Sequence, residues 1–162
     1  MTLQYIKRCG DSFIACAAQG IKGEVGLESA KDRRTLFNYC FYGSVKITEP
    51  FGNSIKTIDG KKGQLVDVKE FLGKTVVYEF LEDTHTFGFN LGRDSKDDWS
   101  GKLIEKNVGL QVTKKSILVC LDGSPIVNGK TLSRYDYDEL LTTKSYDIDL
   151  KTDGVLALFT VV

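Results

Sequence analysis

Arg34-Thr35-Leu36-Phe37-Asn38-Tyr39-Cys40-Phe41-Tyr42-Gly43-Ser44 and Lys114-Lys115-Ser116-Ile117-Leu118-Val119-Cys120-Leu121-Asp122-Gly123-Ser124 decide the fold. Each is an apolar run that ends in a Gly-Ser turn, with a cysteine at the same place inside it. Runs of this kind read as strands buried on both faces, closed by a glycine turn. Further pairs follow in the same order. Val25-Gly26-Leu27 parallels Val108-Gly109-Leu110, Val76-Tyr78-Phe80 parallels Tyr146-Ile148-Leu150, and Phe89 and Leu91 parallel Phe159 and Val161. One β unit written twice predicts two like-shaped sheet structures in one chain.

The rest of the chain agrees. Ser12–Ala18, Lys22–Glu28, Ser44–Thr48, Gln64–Val68, Thr75–Leu81 and His85–Leu91 read as strands, with turns at Pro50-Phe51-Gly52-Asn53 and Ile58-Asp59-Gly60-Lys61. In the second half, Lys102–Lys106, Val108–Val112 and Val155–Val162 do the same, and Asn128-Gly129 is a hairpin signal. Thr131–Leu141 is the one stretch expected to turn helical. Short strands separated by Gly, Asn and Asp turns make an antiparallel all-β sandwich or barrel, since closing or stacking sheets removes costly open edges. The expected division is an N-terminal half over 1–92, a polar linker over 93–101 and a C-terminal half over 102–162. Trp99, inside that linker, is expected to anchor it to the core.

Ser116–Val162 resembles the C-terminal half of a cupin over nearly its whole length: a strand reaching Leu-x-Gly, a hairpin, a polar segment at Tyr135-Asp136 and two closing strands. Across Arg33–Val162 the order of features is similar to that of the HutD/Ves-like bicupins. Arg34-Thr35-Leu36, Gly43 and Phe89-Asn90-Leu91 stand in the family's order, with Gly88 where the family has Asp. The family's Pro-Trp-Lys-Asn-Gly-Gly stretch has no counterpart, because Ser12–Gly26 contains neither Pro nor Trp. The resemblance implies a double-stranded β-helix, cupin or jelly roll, in two halves. It also implies a metal-free pocket for a small organic acid or sugar near Arg34 and Asn90.

Composition narrows the function by exclusion. The chain has 162 residues, 41% of them hydrophobic, and 22 basic side chains balance 22 acidic ones. A binder of duplex nucleic acid would carry a basic excess to neutralise phosphates, so no nucleic acid is expected. Zero net charge weakens self-repulsion and allows self-association or a protein partner. Met1–Gly10 does not read as a secretory signal, and no apolar run spans a membrane; a cytoplasmic protein, or one assembled into a virus particle, is expected. The four cysteines, Cys9, Cys16, Cys40 and Cys120, fit no zinc spacing. His85 is the only histidine, so no His-rich metal centre and no Ser–His or Cys–His nucleophile is expected, and no cofactor. Asp147 and Asp149 share a strand face but read as solvated carboxylates.

Three residues are left as ligand candidates: Arg34 for a carboxylate, Asn90 as a hydrogen-bonding partner and His85 as a polar or pH-sensitive group. A barrel lined by the aromatics of the first half, Phe37, Tyr39, Phe41, Tyr42, Phe51, Phe71, Tyr78, Phe80, Phe87 and Phe89, would suit an organic molecule. Tyr39, Phe41 and Tyr42 cannot share one strand face, which hints at an interface. Two functions follow: a structural or interaction module acting through its surface, and a small-molecule binder.

Overall fold

Strand after strand is antiparallel, and the chain divides into two compact units, Met1–Asp94 and Ser95–Val162. The computed structural model describes residues 2–9, 13–92 and 95–162, with side chains from residue 16 onward. Among the described residues there is no α-helix, and no helix is long and apolar enough to cross a membrane.

The first unit holds β1 (Thr2–Cys9), β2 (Phe13–Gly20), β3 (Val25–Glu28), β4 (Thr35–Tyr42), β5 (Ser44–Thr48), β6 (Ile55–Asp59), β7 (Leu65–Asp67), β8 (Val76–Phe80) and β9 (Thr84–Leu91). These form a five-stranded sheet, β1-β2-β9-β4-β7, and a four-stranded sheet, β3-β8-β5-β6. The second unit holds β10 (Trp99–Ile104), β11 (Val108–Gln111), β12 (Ser116–Asp122), β13 (Ile126–Val127), β14 (Lys130–Thr131), β15 (Tyr137–Leu140), β16 (Ser145–Asp149) and β17 (Val155–Val161). Its sheets are β10-β17-β12-β15 and β11-β16-β13-β14. With β1 set aside, the two units have the same strand order, β2 standing for β10, β9 for β17, β4 for β12 and so on. Each is an all-β jelly roll with two facing sheets.

Cys40 and Cys120 occupy equivalent places, each within its own unit. Cys40 pairs with Thr86 across β4 and β9, and Cys120 with Leu156 across β12 and β17. A bulge follows each cysteine, Cys40/Tyr42 and Cys120/Asp122. Each thiol reaches back to the turn it precedes: Cys40 Sγ lies 3.1 Å from the Tyr42 carbonyl, and Cys120 Sγ 3.5 Å from that of Asp122. Gly43 (φ +84) and Gly123 (φ +72) close these turns in the left-handed region that favours glycine.

Three readings of the sequence change. Tyr137–Leu140 is a strand paired with β12 from Ser116–Leu140 to Val119–Tyr137; backbone pairing to a sheet edge outweighs the helical preference of Glu139 and Leu140. Trp99, Ser100 and Gly101 open β10 opposite β17 rather than bridging two halves, and Trp99 is fully buried. The strands β3 and β11 correspond, but Val25 and Leu27 are exposed while Val108 and Leu110 pack on their core. A shift of one residue turns a strand over, so these two tripeptides match in letters and face opposite ways.

The interiors differ. In the second unit Leu118, Cys120, Leu156 and Leu158 from one sheet meet Val127, Tyr146 and Ile148 from the other. Each buried leucine contributes about 1.5–3 kcal/mol. In the first unit Val45, Ile47, Ile58, Phe71, Val76 and Phe80 pack around Cys40. Where Leu118 faces Leu158, the first unit has Asn38 facing Gly88.

Candidate functional site

The Asn38–Gly88 pair lies on a cavity of about 620 Å³ in the first unit, where the second unit has two leucines. Its polar wall comes from the five-stranded sheet: Cys16 on β2, Thr35 and Asn38 on β4, Thr86, Gly88 and Asn90 on β9. Val45, Ile47, Ile58 and Phe80 supply an apolar wall from the facing sheet. Glu28, Arg33 and Tyr78 line it as well.

Arg33 is the central group. It is 3% exposed, and its Nη1 is the hub of a network. Nη1 donates to the Tyr78 hydroxyl and to Thr35 Oγ1 (3.2 Å), and lies 3.5 Å from Glu28 Oε2. Tyr78 in turn donates to Glu28 Oε2 at 2.8 Å. Thr35 donates to Asn90 Oδ1, and the Asn90 side chain hydrogen-bonds the Cys16 thiol. Glu28 thus supplies the counter-charge that a buried guanidinium needs. Burial pushes the Tyr78 hydroxyl well above its usual range, more than the Arg33 charge lowers it, and so keeps the phenol protonated. Burial also raises the Cys16 thiol, so this wall is neutral at ordinary pH.

The other edge of the guanidinium is unused. Arg33 Nε and Nη2 are both enclosed and have no hydrogen-bond partner. These two nitrogens lie on one side of the planar group and point their N–H bonds the same way. That is the fork that grips both oxygens of a carboxylate. The Asn38 Oδ1 atom is enclosed and unpartnered too. Unpaired buried polar groups are rare in folded proteins, and each asks for an explanation.

The residues singled out by sequence fall in different places. Asn90 lines the cavity, held by Thr35 and Cys16. Arg34 lines it but spends its guanidinium on the chain: Nε donates to the Leu91 carbonyl (3.1 Å) and Nη2 to that of Gly92 (2.6 Å). His85 is not at the cavity. Thr86, Gly88 and Asn90 face it, and alternate residues of a strand face opposite ways. His85 packs instead at a tilt against Phe41 (4.9 Å between ring centres) and edge-on against Tyr42 (5.9 Å). Phe87 and Phe89 lie with Phe41 on the sheet face opposite the cavity and are fully buried, so the expected aromatic lining reduces to Tyr78 and Phe80. Sequence alone does not mark Arg33, Glu28, Thr35 or Asn38 as ligand groups. The one available signal for Arg33 was its place beside Arg34 at the mouth of β4.

No family model matches the chain, and no curated protein matches it by sequence. Solved structures do match in shape. HutD from Pseudomonas fluorescens superposes with a TM-score of 0.68 at 13% identity, over 99% of this chain and 87% of that one. A cupin 2 conserved barrel domain protein from Leptotrichia buccalis gives 0.56 at 15% identity, over 99% and 88%. The bacterial pirin YhhW from Escherichia coli, in complex with nickel(II), gives 0.62 at 10% identity, over 93% and 82%. Among the described residues no three His, Cys, Asp or Glu side chains converge. Glu28 is engaged by Tyr78 and Arg33, Asp32 accepts from Ser29, and a buried cation already occupies the cavity wall. In architecture and in its structural neighbours, the chain has the cupin fold.

Proposed function

We propose that the first unit is a receptor for a small organic carboxylate, held side-on by Arg33. The observation that carries this reading is the unpartnered Nε–Nη2 edge of a buried arginine at a cavity of small-molecule size. Nη1 is fixed by Tyr78 and Thr35, so the fork is held in place before a ligand arrives, which lowers the cost of binding. The nearby Glu28 carboxylate favours a singly charged acid over a phosphate. The second unit, filled with aliphatic side chains, has the role of a scaffold.

Thermal-shift and calorimetric screening of organic acids and sugars tests this. A ligand that binds only the native state raises its stability, by about 2.7 kcal/mol at a hundredfold excess over Kd. Carboxylates are expected to stabilise the protein, and Arg33→Met and Arg33→Lys to lose the effect, since lysine keeps the charge without the fork. Stabilisation by neutral sugars alone, or an undiminished response in Arg33→Lys, would overturn the assignment.

A second reading, a structural or interaction module such as a component of a virus particle, is supported by the outer face of the four-stranded sheet in the first unit. Leu27, Val77, Thr48 and Ile55 run across it in register, and Leu27 and Ile55 are exposed. Light scattering across a concentration series tests it: a strict monomer counts against self-assembly.

A further inference from the structure

We infer that Asn38 is a second recognition point in the same cavity, and that the ligand is a bifunctional acid: a carboxylate for Arg33 and a hydroxyl or N–H donor for Asn38. The inference rests on the carboxylate reading and adds the chemistry of the other end. Asn38 is 8% exposed, its Oδ1 is enclosed, and it has no partner. It lines the cavity that Arg33 lines. The polar groups between them are already matched, Thr35 to Asn90 and Asn90 to Cys16. Two unmatched groups are left, the donor fork of Arg33 and the amide oxygen of Asn38.

The surroundings fit this division. Gly88 stands opposite Asn38 in the β4–β9 register. A Cβ at Gly88 would come within 3.4 Å of both Asn38 Nδ2 and Thr35 Cγ2, so the bare backbone keeps room beside the amide. Val45, Ile47, Ile58 and Phe80 form an apolar wall that suits a short aliphatic spacer. In the second unit the same register holds Leu118 and Leu158, and no polar vacancy arises among those pairs.

Calorimetric titration of the full chain tests the inference. The probes are straight-chain hydroxy acids with a terminal hydroxyl, from glycolate to the six-carbon acid, each beside the alkanoate of equal length. At the best-fitting length the hydroxy acid is expected to bind about tenfold tighter than its alkanoate, the usual yield of satisfying a buried acceptor. Asn38→Leu is expected to erase that preference while still binding alkanoates, and Asn38→Ala serves if the leucine variant does not fold. Equal binding of hydroxy acid and alkanoate by the wild type, or a preference that survives in both variants, overturns the role of Asn38 and leaves the Arg33 assignment standing. Failure of every acid to bind removes both.

Discussion

Exchanging the residues that distinguish the two interiors should move stability in opposite directions. Asn38→Leu removes an enclosed acceptor whose lack of a partner costs about 1–3 kcal/mol. It adds a branched aliphatic side chain to a cavity that already has Val45 and Ile47 on its walls. The new leucine packs on one side only, so its burial adds less than the full amount for a core residue. A net stabilisation of about 1–3 kcal/mol follows. Leu118→Asn does the reverse: Leu118 is fully buried among Cys120, Leu156 and Leu158, and the variant loses packing and buries an amide without a partner. A loss of about 3–5 kcal/mol is expected. Urea unfolding followed by circular dichroism measures both. Trp99, the single tryptophan, adds a fluorescence signal that belongs to the second unit. Stability gained at the expense of binding is the usual trade at a functional site. If Asn38→Leu were as destabilising as Leu118→Asn, Asn38 would be a structural group and the contrast between the interiors would have no functional meaning.

Three further outcomes are expected. Tyr78→Phe removes the hydroxyl between Arg33 and Glu28; stability should fall by about 1–2 kcal/mol and carboxylate affinity several-fold, and unchanged affinity by calorimetry would detach Tyr78 from the site. Gly43→Ala and Gly123→Ala should each cost more than about 2 kcal/mol in urea unfolding, because both turns have positive φ and a Cβ would sit 2.1 Å from the Asp83 carbonyl or 2.6 Å from that of Asp153. Burial pushes the Cys40 and Cys120 thiols from 9.0 up to about 11. The unfolded thiols ionise first, so their contribution is fully present below pH 9 and declines as pH rises through about 11. Urea midpoints at pH 8 and pH 10 should show that decline, and it should shrink in Cys40→Ala/Cys120→Ala; a rise with pH would contradict the burial of these thiols.

The fold was legible because its signals were local and repeated. A cysteine and a Gly-Ser turn at equal places in two apolar runs carry register as well as strand identity, and the Cys40 and Cys120 contacts are alike in both units. The site was less legible for a physical reason. β4 is buried on both faces from Thr35 to Cys40, so its sequence shows no alternation that would tell the cavity side from the other. On β9 the alternation was visible, but the aromatic side drew attention, and the side that lines the cavity is the small polar one, Thr86, Gly88 and Asn90. Arg33 and Arg34 are indistinguishable as letters. Only the three-dimensional course of the chain shows that Arg34 binds backbone carbonyls while Arg33 keeps a free fork.

The most direct test is a crystal structure of the protein with the tightest-binding acid from the screen. The account predicts a density in the first unit with its two carboxylate oxygens within hydrogen-bond distance of Arg33 Nε and Nη2. An acid seated on Arg34 or outside the cavity, with the Arg33 fork still empty, would contradict it.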